Sequence, residues 1–170
     1  MNKKTYSYGK QSISQSDIRE VIKTLKSPWL TQGPKVLEFE QAICKYTGAK
    51  YAVAVANGTA ALHLAVLSLN LSPEDEVITS PITFLASANC ILYAGARVKF
   101  ADINENTACI DPTEIRKQIT SKTRGIIPVH FAGQSCGMDK IRKIARENNL
   151  FVIEDAAHAI GSEYKGEKVG

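Results

Sequence analysis

Apolar residues in the first part of the chain recur with the period of an α-helix. Four of them are spaced i, i+3, i+4 and i+7: Ile18, Val21, Ile22 and Leu25. This spacing predicts a helix of about three turns that begins near Ser16. A second helix is predicted over residues 35–46, with Gly48 placed to end it. Residues 1–50 are therefore expected to form an N-terminal segment of helices and loops.

The run 51–55 (YAVAV) is short, uncharged and partly β-branched, which is typical of a strand buried on both faces of a parallel sheet. A glycine turn and a helix over residues 61–67 follow it. The first backbone N–H groups of a helix lack internal partners, so this arrangement favours an anion site. Gly58 lets the main chain approach an anion closely, and the Thr59 hydroxyl adds a donor. The alternative is an ordinary turn in which Asn57 or Thr59 caps the helix.

Short apolar runs and helical patterns then alternate to the end of the chain. The further predicted strands cover residues 76–79, 97–103, 125–131 and 150–153. The predicted helices cover residues 84–94, 111–119 and 138–148, and a hairpin is predicted over residues 163–170. This alternation indicates an α/β domain with a mostly parallel sheet over residues 51–170. Ligands of such sheets bind at the carboxyl ends of the strands, so we expect the chemistry there.

The composition narrows the class of protein. The 170 residues are 44% hydrophobic and 22% charged, with a net charge of +4 and acids interspersed among the bases. No basic cluster indicates nucleic-acid binding, and no apolar run approaches the roughly 20 residues of a membrane span. The first residues contain two lysines but no apolar core of a signal peptide. The four cysteines are scattered without a CxxC pair, which favours reduced thiols and a cytoplasmic location.

Three sets of polar residues lie at the carboxyl ends of predicted strands: Asn57, Gly58 and Thr59; His130; and Asp155 with His158. Asp155 comes directly after an apolar run, where burial of a lone carboxylate is costly unless it pairs with a cation or a protonated nitrogen. Capping of the next turn, or pairing with an arginine, are the structural alternatives. His130 and His158 could face the same pocket. With Glu154 they match no common metal-ligand spacing, so no metal is predicted, and the chain contains no GxSxG, GxxxxGK[ST] or GxGxxG motif.

Five segments, taken in order, carry a specific resemblance: WLTQGP (29–34), NGTAAL (57–62), DEVITSPITFLASANCILYAGA (75–96), PVHFAG (128–133) and EDAAHAIG (154–161). Together they closely resemble the sugar aminotransferases of the DegT/DnrJ/EryC1/StrS family, pyridoxal-phosphate enzymes of the aspartate-aminotransferase fold, or fold type I. The resemblance implies that residues 51–170 form the large, cofactor-binding domain, an α/β/α sandwich with a mostly parallel sheet, and that this domain is incomplete. It also implies that residues 1–50 contribute a substrate loop.

The resemblance assigns six residues to the cofactor pyridoxal 5′-phosphate: Gly58, Thr59, Ala60, Phe84, Asp155 and His158. The first three match the turn that holds the 5′-phosphate, and Phe84 matches the aromatic residue that stacks on the pyridine ring. Asp155 matches the acid that pairs with the ring nitrogen and keeps it protonated, so that the ring can accept electrons. His158 matches a position near the 3′-oxygen of the ring.

The implied substrates are a nucleotide sugar and an amino acid. Four residues match positions near the nucleotide sugar: Tyr8, Trp29, Thr31 and Asn57. The implied activity is amination of C4 of a UDP-4-keto-6-deoxy-N-acetylhexosamine, in pseudaminic acid or related nucleotide-sugar biosynthesis, with glutamate as amino donor. The resemblance further implies a homodimer with active sites at the subunit interface.

The chain departs from the family pattern in one respect. The family's Schiff-base lysine lies in an SFHxxK-type motif downstream of the EDxAxxxG segment, and the sequence stops at Gly170 without that motif. Lys165 and Lys168 match no such motif and are predicted to be surface residues. The expectation is an N-terminal fragment that contains no catalytic residue and does not transaminate alone.

Three alternatives stay open from the sequence. One is a sugar 3-dehydratase of the same family, in which a histidine replaces the lysine and the cofactor is not covalently held. Another is a non-catalytic binding fragment. The third is a metal-dependent hydrolase that uses His130, Asp155 and His158.

Overall fold

The computed structural model describes residues 11–170, so the predicted substrate contact Tyr8 lies outside the described residues. The described part of the chain begins with two helices, α1 (Gln15–Leu25) and α2 (Pro34–Thr47). A capping box between Ser14 and Asp17 begins α1, and Gly48, with a φ of 81°, ends α2 in the left-handed conformation. Both predicted helices are confirmed. Neither helix buries a residue completely, and most of their apolar side chains are exposed.

A four-stranded parallel sheet forms the centre of the fold. Its strands are β1 (Glu76–Thr79), β2 (Arg97–Phe100), β3 (Thr123–Ile127) and β4 (Phe151–Val152), in the order β2-β1-β3-β4. Ile78 of β1 is paired with Lys99 on one side and with Ile126 on the other. Strand β3 ends just before Pro128, as expected for a residue that cannot donate to the sheet.

Four helices cover the two faces of the sheet: α3 (Gly58–Leu67), α4 (Ala86–Tyr93), α5 (Pro112–Gln118) and α6 (Met138–Glu147). Neighbouring residues of one strand point to opposite faces. Val77 accordingly joins a buried cluster with residues of α3 and α4, whereas Ile78 joins a second cluster with residues of α5 and α6. The predicted α/β/α sandwich with a parallel sheet is confirmed.

The prediction of a buried strand over residues 51–55 is wrong. The segment is extended, but in the described part of the chain it pairs with no strand, and Tyr51 and Val53 are 77% and 79% exposed. In the described residues, its one long-range backbone hydrogen bond is from the N–H of Ala54, which donates to a carboxylate oxygen of Glu40 across 2.8 Å. A run of apolar residues predicts an extended conformation, but burial also requires a neighbouring strand.

The chain closes with a hairpin of β5 (Glu163–Tyr164) and β6 (Glu167–Lys168), as predicted. Lys165, at its tip, is exposed and forms an ion pair with Asp139 at 2.8 Å. Lys168 is only half-buried and pairs with Glu163 at 2.6 Å. None of the helices among residues 11–170 combines the length and the apolar character needed to cross a membrane.

Candidate cofactor site

Three of the six residues predicted to contact the cofactor line one small depression of about 30 Å³. The depression lies at the carboxyl ends of β3 and β4, where ligands of parallel sheets bind. It is lined by Thr83, Phe84, Val129, His130, Phe131, Asp155, Ala157 and His158. The structure thus brings together Phe84, Asp155 and His158, which lie up to 74 residues apart in sequence.

Asp155 is positioned by backbone pairing beyond β4, an edge strand of the parallel sheet. Its N–H donates to the carbonyl of Pro128 at 2.9 Å, and its carbonyl accepts from the N–H of His130 at 3.0 Å. These bonds continue the parallel pairing of β3 and β4 as far as Val129 and Asp155. Backbone pairing therefore holds Asp155 at the carboxyl edge of the sheet, beyond the half-buried strand β4, and Asp155 is only 7% exposed.

The carboxylate of Asp155 has neutral donors only in the described part of the chain. Oδ2 accepts from the hydroxyl of Ser87 at 2.6 Å, and Oδ1 accepts from the N–H of Ala157 at 3.2 Å. The second hydrogen bond caps the following turn, which is one of the structural alternatives that the sequence left open for Asp155. The other alternative, pairing with an arginine, is not observed among residues 11–170. A buried carboxylate with two neutral donors and no cation fits a ligand that presents a protonated nitrogen.

Phe84 and His158 form the exposed rim of the depression. Phe84 precedes α4, and its side chain is 71% exposed although it is large and apolar. The predicted helix over residues 84–94 starts two residues later than expected, at Ala86, so the ring stands outside the helix. An exposed aromatic face next to a buried carboxylate fits a flat heterocycle that carries a protonated ring nitrogen.

The N-terminus of α3 lies beside Ala157, which lines the depression. A Cβ added at Gly58 would lie 3.8 Å from the Cβ of Ala157. Asn57 is the N-cap: its side-chain oxygen accepts from the N–H of Ala60 at 2.9 Å, and its carbonyl accepts from Ala61. Within the described residues the N–H groups of Gly58 and Thr59 make no hydrogen bond. Two free donors at a helix N-terminus fit a phosphate group, whereas the N–H of Ala60 is already used.

Two of the predicted substrate contacts lie elsewhere. Trp29 and Thr31 are exposed in the loop between α1 and α2 and do not line the depression. The loop is tight, because a Cβ added at Gly33 would lie 2.4 Å from the carbonyl oxygen of Trp29. Asn57 is close to the candidate phosphate turn, but its side-chain oxygen is engaged in the helix cap.

His130 is a core residue rather than a free ligand. Its ring is completely buried, and Nδ1 accepts from the backbone N–H of Cys136 at 3.1 Å. Nε2 therefore carries the proton and donates to Glu154 at 2.8 Å. Among residues 11–170 no group of three or more His, Cys, Asp or Glu side chains is placed to hold a metal ion.

Two hydroxyl residues at this site were not predicted from the sequence. Ser87 in α4 contacts Asp155, and Thr83 contacts Ser87 through a 2.6 Å hydrogen bond between the hydroxyls. The available signal was a serine in a helix otherwise built of small and apolar residues. A buried serine in such a helix needs a partner.

Comparison with known proteins assigns the chain to a family. The model of the DegT/DnrJ/EryC1/StrS aminotransferase family matches residues 11–170. The chain belongs to this family. The aminotransferases of the family depend on pyridoxal phosphate, and similar solved structures include forms with pyridoxal phosphate or pyridoxamine phosphate.

Two curated relatives and one solved structure illustrate the similarity. The chain is 49% identical over 163 residues to the spore coat polysaccharide biosynthesis protein SpsC of Bacillus subtilis. The matched region covers 96% of this chain and 42% of that protein. The chain is 42% identical over 159 residues to a UDP-4-amino-4-deoxy-L-arabinose–oxoglutarate aminotransferase of Shewanella sediminis. The matched region covers 94% of this chain and 41% of that protein. The structure of Helicobacter pylori PseC, an aminotransferase of pseudaminic acid biosynthesis, superposes with a TM-score of 0.93 at 35% identity, covering 98% of this chain and 45% of that chain.

These coverages show the extent of the match. The chain spans about two fifths of the length of the curated relatives it matches. The fold type I assignment is confirmed by the structural similarity.

Proposed function

We propose that this chain forms the cofactor-binding face of a pyridoxal-phosphate-dependent sugar aminotransferase. The observation that carries the proposal is the buried carboxylate of Asp155, which pairs with no cation among residues 11–170 and lies beside the exposed ring of Phe84. Moving a charged aspartate from water into a buried site without a cation costs free energy, because desolvation disfavours its charge. A cationic partner from a ligand would compensate for the cost.

Each part of the site has a separate task in this proposal. The N–H groups of Gly58 and Thr59, together with the positive end of the α3 dipole, would hold the 5′-phosphate. Phe84 would contact one face of the pyridine ring, and His158 would lie near its 3′-oxygen. Asp155 would hold the proton on the ring nitrogen. When bound, pyridoxal phosphate supplies a ring that accepts electrons from the amino-acid and sugar carbons.

The lysines of the described residues lie away from this site. No lysine among residues 11–170 lines the depression, and Lys165 and Lys168 are engaged in ion pairs at the hairpin. We therefore expect that the 170-residue chain holds the cofactor reversibly, without a covalent bond, and that it does not transaminate alone. A lysine supplied by further chain would be needed for proton transfer at the substrate carbon.

For the complete enzyme we propose amination of C4 of a UDP-4-keto-6-deoxy-N-acetylhexosamine, in pseudaminic acid or related nucleotide-sugar biosynthesis. The structural similarity to PseC supports this substrate. Glutamate is the proposed amino donor, supported by the oxoglutarate aminotransferase among the relatives. Trp29, Thr31 and Asn57, with Tyr8, are proposed to lie near the nucleotide sugar. A cytoplasmic homodimer is the proposed state of that enzyme.

A cofactor titration tests the proposal. The chain is titrated with pyridoxal phosphate, followed by absorbance, and the mixture is analysed by intact mass before and after borohydride reduction. We expect saturable binding and no specific reduced adduct, and no aminated sugar when the UDP-keto-sugar and glutamate are added. A specific adduct on Lys165 or Lys168 would contradict the non-covalent site. Binding that Asp155→Asn leaves unchanged would contradict the role of Asp155.

A further inference from the structure

Ser87 forms the closest side-chain contact of the candidate cofactor carboxylate. It lies in the first turn of α4, and its side chain is completely buried. Its Oγ lies 2.6 Å from Oδ2 of Asp155 and 2.6 Å from Oγ1 of Thr83. A hydroxyl–carboxylate distance of this size is typical of a charge-assisted hydrogen bond.

The direction of both hydrogen bonds follows from the number of protons. A carboxylate can only accept, so the hydroxyl of Ser87 donates its one proton to Asp155. The hydroxyl of Thr83 must then donate to Ser87. The competing acceptor for Ser87, the carbonyl oxygen of Phe84, is farther away at 3.4 Å. Thr83 thus donates to Ser87, and Ser87 donates to Asp155.

Several titratable groups lie near the hydrogen bonds between Thr83, Ser87 and Asp155. Among the described residues these groups are Glu154, which directly precedes Asp155 and pairs with Arg142, His130 and His158, which line the same depression, and Cys90 in the next turn of α4. Burial raises the pKa of the Cys90 thiol to about 11, and the charge of Asp155 acts in the same direction, so Cys90 stays neutral. Its thiol donates to the carbonyl of Ser87. Ser87 is therefore the strongest fixed donor to Asp155.

We propose that Ser87 is a positioning residue for the cofactor. By binding Oδ2 it fixes the orientation of the carboxylate and leaves the remaining acceptor capacity of Oδ1 for the protonated ring nitrogen of pyridoxal phosphate. Thr83 supports it by fixing the direction of the Ser87 hydroxyl. This inference rests on the proposed function, since it assumes that the depression holds the cofactor ring.

The proposal makes a selective prediction, because Ser87 acts only through Asp155. Its removal should weaken binding of a ligand with a ring nitrogen and spare a ligand without one. The probes are pyridoxal phosphate and its 1-deaza analogue, in which a carbon replaces the ring nitrogen. For the Ser87→Ala chain we expect the affinity for pyridoxal phosphate to fall about tenfold and the affinity for the deaza analogue to change less than about twofold.

Two variants serve as comparisons. Ser80→Ala removes an equally buried serine at the end of β1, whose hydroxyl bonds the backbone of Ile82 instead of Asp155. It should leave the affinity for both ligands unchanged. Thr83→Val removes the supporting hydroxyl at nearly constant volume, and it should produce a smaller loss than Ser87→Ala with the same selectivity. An equal loss for both ligands in Ser87→Ala would mean that Ser87 merely supports the fold, and this would overturn the proposal.

A second measurement tests the contact without a ligand. Urea unfolding of the wild-type chain, Ser87→Ala, Asp155→Ala and the double variant forms a thermodynamic cycle. We expect the two effects on the unfolding constant to be non-additive by about tenfold, and additive effects would overturn the contact.

The two measurements separate the two levels of the argument. If the wild-type chain binds pyridoxal phosphate no better than the deaza analogue, the ring-nitrogen role of Asp155 fails, and this inference fails with it. A coupled unfolding cycle would then identify Ser87–Asp155 as a structural contact. If the wild-type chain discriminates but Ser87→Ala discriminates equally well, the proposed function stands and only the role of Ser87 is refuted.

Discussion

The buried ring of His130 donates its Nε2–H to a carboxylate oxygen of Glu154 across 2.8 Å. The backbone N–H of Cys136 binds the other ring nitrogen, so the ring cannot turn without losing both bonds. Glu154 also accepts from Arg142 at 3.1 Å and from the N–H of Gly170 at 3.2 Å. Glu154, which precedes Asp155, thus contacts the segment after β3, α6 and the residue that follows the hairpin; we call these contacts the Glu154 clamp.

The Glu154 clamp is expected to make a contribution to folding stability that is lost at acidic pH. Burial acts to raise the pKa of Glu154, but the hydrogen bonds from His130, Arg142 and Gly170 outweigh it and lower the pKa from 4.5 to about 2. Because the folded pKa lies below the unfolded one, the stabilisation is fully present above about pH 5 and is lost as the pH falls toward 2. A shift of this size corresponds to at most about 3 kcal/mol.

Glu154→Gln tests this clamp. At pH 7 its free energy of unfolding should be lower than that of the wild type by about 1–3 kcal/mol, and the difference should shrink between pH 5 and 2. Urea unfolding at several pH values measures it. Glu147→Gln, in an exposed ion pair with Arg116, is the control and should cost less than about 1 kcal/mol. A difference that is independent of pH would contradict the predicted linkage.

The N-cap of α3 allows stability and anion binding to be separated. Asn57→Asp keeps a side-chain oxygen for the N–H of Ala60 and adds a negative charge at the positive end of the helix. The free energy of unfolding should therefore stay equal or rise, while the affinity for pyridoxal phosphate falls because the new charge repels the phosphate. Asn57→Ala should lower the free energy of unfolding by about 1 kcal/mol. Tighter cofactor binding by Asn57→Asp would contradict a phosphate site at this turn.

Gly58→Val tests the same turn by steric means. A Cβ at Gly58 meets only Ala157, at an ordinary contact distance of 3.8 Å, so the chain should still fold. The branched side chain should hinder approach of a phosphate to the N–H groups of residues 58 and 59, and we expect at least a tenfold loss of cofactor affinity, on the order of one charged hydrogen bond.

Ala61→Val is the matched control for that experiment. It adds a similar branched side chain to the first turns of the same helix, at an exposed position whose N–H already donates to Asn57. Its helix-propensity cost is similar, but it should not change cofactor affinity. Titration of both variants with pyridoxal phosphate, alongside thermal unfolding, distinguishes the two effects. Equal losses of affinity would show that Gly58 has no special role at the phosphate.

Phe84→Ala should affect binding but not folding. The ring is 71% exposed, so its removal leaves no cavity in the core and should change the free energy of unfolding by less than about 0.5 kcal/mol. Loss of an aromatic contact to a pyridine ring should weaken cofactor binding by about 3- to 10-fold. Phe84→Tyr keeps the aromatic face and should bind normally. A Phe84→Ala chain that unfolds more easily yet binds the cofactor normally would refute the stacking role.

The elements that sequence patterns predicted correctly are those with local signals. Gly48 ends α2 with a positive φ, and the side chain of Asp111 accepts from the N–H of Thr113 at the start of α5. Both signals act within a few residues, so the chain itself specifies them. The predicted strand over residues 97–103 stops at Phe100 because pairing with β1 stops there. The length of a strand depends on its partner, which local patterns do not reveal.

The same distinction applies to the candidate site. Position after a strand pointed to Asp155, and the family resemblance added its role and that of Phe84. Ser87 was not predicted, because its hydrogen-bond partner is 68 residues away and a serine among small residues has no distinguishing local pattern. Thr83 depends on Ser87 and was missed for the same reason. Long-range polar contacts are set by how the elements pack and become visible only in the folded chain.

The exposed run 51–55 leads to a prediction about association. Tyr51 and Val53 are apolar, extended and almost fully exposed, and no strand among residues 11–170 pairs with their backbone. Such an edge favours pairing with another chain. Val53→Lys places a charge on it and should reduce self-association in light scattering, while the free energy of unfolding changes by less than about 0.5 kcal/mol. Val77→Lys, at a fully buried position of β1, should prevent folding. If Val53→Lys instead destabilises the chain by more than about 2 kcal/mol, Val53 is buried in the folded protein and the exposed edge is refuted.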